Sequence, residues 1–142
     1  MSAVLLDTNA LIWFTTRAPM ASAALEAIAA AQPSGGILVS PLSAWETALA
    51  VLKSHGRPDL GGQDVARWFR HALKTPGVKL ARPSQRIAIE AANVPAIFGR
   101  GDPGDCFLIA TARVRKVPII TRDRHMQRLV KARPDYLRVI PC

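Results

Sequence analysis

Ten carboxylates are few for a chain of 142 residues, and five of them stand where apolar runs give way to helical patterns. Asp7 follows Leu5-Leu6. Glu46 closes Ser43-Ala44-Trp45-Glu46, which has the form of a capping box at a helix start. Asp102 and Asp105 flank Pro103-Gly104, and Asp123 follows Ile119-Ile120-Thr121. Each taken alone reads as a helix cap more readily than as a ligand. Taken together they read differently, because in an open parallel sheet every strand-to-helix turn emerges at the carboxyl ends of the strands. Helical spacing groups Glu46 with Leu49 and Ala50, and Asp105 with Leu108, Ile109 and Ala112, so both are expected on core-facing sides. Anions gathered so closely repel unless a cation lies between them. Oxygen donors without a His or Cys set suit Mg²⁺ or Mn²⁺.

The elements that must position these groups follow from the apolar pattern. Strands are predicted at residues 3–6, 37–40, 78–81, 118–121 and 137–140. Helices are predicted at 8–14, 20–31, 43–53, 64–74, 84–92, 105–114 and 124–132, with Asn93 to Gly104 as a loop. Strands alternating with helices, and reading as continuous apolar runs, indicate an α/β fold. Its central parallel sheet would have four to five strands and helices on both faces.

Composition bounds the rest. At 142 residues with 49% hydrophobic content, the chain is expected to form one domain, 1–142, with its own core. Aromatics are only 6%, so Leu, Ile, Val and Ala must build that core. Two cysteines, Cys106 and Cys142, do not make a disulfide scaffold. No basic residue precedes Arg17, and Asp7 interrupts the first apolar run, which argues against a secretory signal. The longest uncharged stretch, Ala27 to Trp45, contains Pro33, Gly35, Gly36 and Pro41 and cannot span a membrane as a helix. A cytoplasmic location without membrane attachment is the expectation.

Charge identifies the partner class. Nineteen Lys and Arg against ten Asp and Glu give +9, which favours polyanions, nucleic acid first. Eight of the cations lie between Arg113 and Arg133, around Asp123, and six between Arg67 and Arg86. A carboxylate-held divalent metal in a basic protein suggests phosphodiester hydrolysis.

These stretches resemble PIN-domain ribonucleases, specifically VapC-type toxins of toxin–antitoxin pairs. The likeness rests on Leu5-Leu6-Asp7-Thr8-Asn9-Ala10-Leu11-Ile12-Trp13 and Val39-Ser40-Pro41-Leu42-Ser43-Ala44-Trp45-Glu46. It continues in Gly101-Asp102-Pro103-Gly104-Asp105-Cys106-Phe107-Leu108-Ile109-Ala110-Thr111-Ala112 and in Pro118-Ile119-Ile120-Thr121-Arg122-Asp123. The resemblance implies a PIN fold and a Mg²⁺- or Mn²⁺-dependent endoribonuclease. It implies Asp7, Glu46, Asp105 and Asp123 as catalytic metal ligands and Asp102 as a further ligand. Thr8, Asn9 and Thr121 would orient them, and Arg122 and Arg124 would contact RNA. A homodimer and a cognate antitoxin that covers the site are implied as well. Cys106 stands where many such toxins have Arg, which touches a phosphate or carboxylate contact but no metal ligand.

Other readings compete. An Asp-nucleophile phosphatase would want an acid two residues after Asp7, where Asn9 stands. A non-catalytic nucleic-acid-binding module fits the charge, yet five acids at its binding edge would repel phosphate. Trp13, Trp45 and Trp68 are expected in the core or an interface, and His55, His71 and His125 at the surface or behind the ligands. Gly35-Gly36 and Gly61-Gly62 are turns; no phosphate-cradling loop is present.

Overall fold

The computed structural model describes residues 2–142. In chain order the elements are β1 (Val4–Leu6), α1 (Thr8–Thr16), α2 (Ser22–Ala31), a 3₁₀ turn (Gln32–Ser34), β2 (Ile37–Val39) and α3 (Pro41–Ala50). They continue with α4 (Val65–Lys74), β3 (Val78–Leu80), α5 (Gln85–Phe98), α6 (Pro103–Arg115), β4 (Ile119–Thr121), α7 (Arg124–Ala132) and β5 (Val139–Pro141). The five strands form one sheet in the order β3-β2-β1-β4-β5, and every pairing is parallel. The expected α/β architecture is therefore present, with all five strands in the sheet.

Strand alternation divides the core in two. Val4 and Leu6, Ile37 and Val39, and Ile120 face the layer of α1, α2 and α4, where Leu11, Ile28 and Trp68 are buried. Leu5, Leu38 and Ile119 face the layer of α5, α6 and α7, against Ile87, Leu108, Ile109 and Met126. Aliphatic side chains dominate both layers, as the low aromatic content requires. Trp68 is the buried exception, and its indole N–H donates to Thr15 Oγ1 at 2.9 Å. Helix α3 belongs to neither layer alone: it packs against α1 and α4 on one side and α6 on the other.

Three expected boundaries are corrected. Helix α3 starts at Pro41, not Ser43. Ser40 caps it by accepting from Leu42 N at 3.1 Å, and Pro41 fills the first turn, where a missing N–H costs nothing. Helix α5 does not stop at Ala92 but continues to Phe98 with Pro95 inside it. The proline removes one rung, and the end comes only at Gly99, whose φ of 74° is left-handed. Helix α6 starts at Pro103, because Asp102 caps it by accepting from Asp105 N at 3.1 Å. Among the described residues no helix is long and apolar enough to cross a membrane.

The topology reverses between β1 and β4: the chain runs outward through β2 and β3 on one side, then β4 and β5 extend the sheet on the other. Such a switch point leaves a crevice at the carboxyl ends of the two diverging strands. Leu5, fully buried on β1 beside it, is expected to cost about 2–5 kcal/mol when replaced by Ala. Leu49→Ala, at a site that is 47% exposed, is expected to change stability by no more than about 0.5 kcal/mol. Urea unfolding of both variants measures the contrast.

Candidate metal centre

Asp7 leaves β1 directly into the crevice. Its backbone N–H donates to Ile120 O at 3.1 Å, and its side chain caps α1 by accepting from Ala10 N at 2.8 Å. It is 7% exposed. Asp123 leaves β4 in the same way and caps α7, accepting from His125 N at 2.7 Å and Met126 N at 3.0 Å. Thr121 braces this turn, its hydroxyl accepting from Asp123 N at 3.0 Å. Asp105 comes from the first turn of α6, whose next turns bury Leu108, Ile109 and Ala112 as expected.

Glu46 reaches the crevice by a different route from the one its sequence context suggests. Because α3 begins at Pro41, Glu46 lies in the second turn, and Ser43 is not its capping partner. Nor does Glu46 share a buried face with Leu49, which is exposed; the buried residues of α3 are Ser43 and Thr47. The carboxylate is held from α1 instead. Thr8 Oγ1 lies 2.6 Å from Glu46 Oε1 and 3.0 Å from Ser43 Oγ. A hydroxyl has one proton, so Thr8 spends it on the carboxylate and accepts from Ser43.

Asp7, Glu46, Asp105 and Asp123 line a single cavity of about 300 Å³, together with Thr8, Asn9, Trp13, Leu108 and Arg122. Ligand oxygens of Glu46, Asp102 and Asp105 lie within 4.8 Å of one another, tight enough for a shared cation. The exposed Asp102 thus stands in the tightest acidic group rather than behind it. Gly104, buried between these carboxylates, makes the approach possible: a methyl group there would land on the carboxylate carbon and both oxygens of Glu46. Ser43 and Gly104 were missed as site residues. The signal for Ser43 was Ser40-Pro41, a better helix start that frees it from capping; for Gly104 it was a glycine in a helical turn, which helices disfavour.

The cost of this arrangement is visible in the proton affinities. Burial raises the Asp7 carboxyl to about 6; the Thr121 hydroxyl and the Ala10 amide pull it down, while the Asp123 charge pushes it up further. Burial also raises Asp105, to about 7, helped by the charges of Asp102, Asp123, Glu46 and Asp7. Burial raises Glu46 as well, against the Thr8 hydroxyl. Burial and the neighbouring carboxylates raise the Cys106 thiol, which disfavours the thiolate a nucleophile needs.

The remaining expected residues divide. Asn9 and Thr8 line the cavity. Arg122 also lines it, but its guanidinium stacks on Trp13 at 3.9 Å, and its N–H groups donate to Cys142 O at 2.9 Å and Pro19 O at 3.3 Å. Arg124 opens α7 exposed, outside the cavity lining. Trp68 is in the core, one of the two placements expected; Trp45, 44% exposed, is not in the core, and Trp13 lines the cavity. His55, His71 and His125 are exposed, and none lines the cavity.

Comparison with known proteins gives the same outline. The family model for the PIN domain matches residues 4–132. A chain of VapBC2 from Rickettsia felis, solved bound to a DNA fragment from its promoter, superposes with a TM-score of 0.68 at 12% identity, covering 98% of each chain. A chain of DNA-bound VapBC from Salmonella typhimurium gives 0.65 at 18%, covering 99% of this chain and 98% of that one. A toxin–antitoxin complex from Klebsiella pneumoniae gives 0.60 at 21%, covering 97% and 96%. No curated protein sequence matches the chain.

Two outcomes follow from this geometry. Gly104→Ala is expected to displace the Glu46 carboxylate and weaken Mn²⁺ binding roughly 10- to 100-fold, while the metal-free Tm does not fall; isothermal titration calorimetry and a thermal melt read the two effects. The second concerns pH. Asp7 and Asp105 bind protons more tightly folded than unfolded, so their favourable contribution is complete below their ordinary range near 3.8 and is lost as pH rises through about 6 to 7. The Tm advantage of Asp105→Asn over the parent without metal is therefore expected to grow between pH 4 and pH 7, and Mg²⁺ is expected to reduce it. A pH-independent difference would contradict the assignment.

Proposed function

This chain belongs to the PIN-domain family, and from that membership we propose that it is a divalent-metal-dependent endoribonuclease acting as the toxin of a toxin–antitoxin pair. The observation that carries the reading is the convergence of four carboxylates, from four separate segments, on one cavity at the switch point of the sheet. The whole chain, 1–142, would act as one nuclease domain in the cytoplasm, as a homodimer with a cognate antitoxin as its regulator. The toxin–antitoxin complex that shares the fold supports the partner assignment by likeness alone.

The donor set fits Mg²⁺ or Mn²⁺: hard oxygens, several of them charged, with Glu46, Asp102 and Asp105 close enough to share an ion. Asp7 and Asp123 would complete the set from the two strand ends. A bound ion would neutralise charge on the attacked phosphodiester and make a water more acidic. The chain's own residues do the positioning. Thr8 fixes the Glu46 carboxylate, Ser43 fixes Thr8, and Thr121 holds the turn that presents Asp123. Asn9 offers a carboxamide at the cavity wall, suited to orienting a water or a phosphate oxygen. Arg122, held flat on Trp13, places positive charge beside Asp7 where a phosphate would enter, and Arg124 would meet the RNA backbone outside the cavity.

Asp7→Asn preserves the cap on α1, because Asn caps helices about as well as Asp. The variant is expected to keep its fold and to lose at least about a hundredfold in Mg²⁺-dependent RNA cleavage. EDTA is expected to abolish cleavage by the parent, and added Mn²⁺ to restore it. Cleavage by the parent that persists in EDTA would remove the metal from the proposal. RNA binding without cleavage under any metal would favour a binding module instead.

A further inference from the structure

The edge of the sheet opposite the carboxylates carries a second feature. There the amino-terminal ends of the strands open onto a groove of about 650 Å³. Its floor is aliphatic: Ala27 and Ala30 of α2, Val4 of β1, Leu38 of β2 and Ile140 of β5. Lys79, Arg115, Lys116 and Arg138 line it as well, and no Asp or Glu does. These four side chains come from three separate stretches of the chain, so the accumulation is a product of folding and not of one basic run.

Two of the four cations have a fixed neighbour. The Lys79 side chain lies against Gly35 at the groove wall. Arg138 Nη2 donates to Lys116 O at 2.8 Å, tying the guanidinium to the end of α6. Lys116 ends that helix at a φ of 57°, a left-handed position where glycine would be unstrained. Its side chain lines this groove and also an adjoining one bounded by Tyr136 and Asp135. Asp135 faces only that adjoining groove, so within this one four like charges stand together with no carboxylate among the lining residues, a crowding that an anionic occupant relieves.

The floor selects among anions. No aromatic ring lines the groove, so it offers no stacking platform for bases. An aliphatic floor under a cationic rim matches a peptide that is acidic and aliphatic at once. We propose that this groove docks an acidic protein segment, its aliphatic side chains entering the floor and its carboxylates meeting Lys79, Arg115, Lys116 and Arg138. No residue of the acidic cavity lines the groove, so this interface stands independently of the nuclease reading.

The test uses the full chain with a short fluorescent peptide of alternating Glu and Leu, followed by anisotropy, and an oligouridine RNA as the competing anion. Lys79→Glu with Arg115→Glu reverses two exposed charges in the groove. Arg67→Glu with Arg70→Glu makes the same change in net charge on the exposed face of α4. The groove pair is expected to weaken peptide binding roughly tenfold or more, and the α4 pair by less than about twofold. Ala30→Glu, a single exposed change that leaves every lysine and arginine in place, is expected to reproduce the loss. Metal-dependent RNA cleavage by the groove pair is expected to match the parent, which keeps the two proposals separable. The proposal fails if the parent does not bind the peptide, if both charge pairs weaken binding equally, or if the groove pair weakens oligouridine binding and spares the peptide.

Discussion

Like charges crowded at one edge of a buried sheet set the terms for the whole molecule. Burial is the largest cause of the raised proton affinity of Asp7, Glu46 and Asp105, and their mutual repulsion adds to it. A small domain tolerates such a cluster only where the rest of its structure is strongly determined. Two aliphatic layers clamped on one parallel sheet supply that determination here. The same penalty would favour a bound cation, since an ion among the carboxylates would relieve the repulsion.

Convergence of acids is not enough; the carboxylates must also point. Asp7, Asp102 and Asp123 are oriented cheaply, because each caps the helix that follows it and borrows that helix's amides. Glu46 has no such cap. Its direction depends on Thr8 across the crevice, on Ser43 behind Thr8, and on the missing side chain at Gly104. The helix that carries Glu46 is also the one that bridges the two layers, so α3 couples this carboxylate to both halves of the core.

Much of this was legible from residue order alone. The apolar runs located all five strands, and Asp residues after two of them, with another at a helix start, marked the edge where a site would form. Boundaries were less legible where two signals competed. Ser43-Ala44-Trp45-Glu46 satisfies the capping pattern, yet Ser40-Pro41 does so earlier and takes the helix start. Pro95 suggested a break, but packing of α5 against α6 carries the helix across it. Leu49, grouped with Glu46 on a core-facing side by helical spacing, lies half exposed, because α3 turns Ser43 and Thr47 inward and Ser43 meets Thr8. Only tertiary structure reveals that inversion.

The order of strands in the sheet carries a consequence for synthesis. Strand β1 pairs with β4, which is separated from it by most of the chain, and Asp123 follows β4. Synthesis therefore makes Asp7 and Glu46 well before, and Asp105 shortly before, the strand that seats Asp123 beside Asp7. Until β4 emerges and slots against β1, the nascent polypeptide carries its acids without the crevice that unites them. The crevice is thus a product of long-range pairing, Leu5 with Ile119, and it forms only once that distant contact closes.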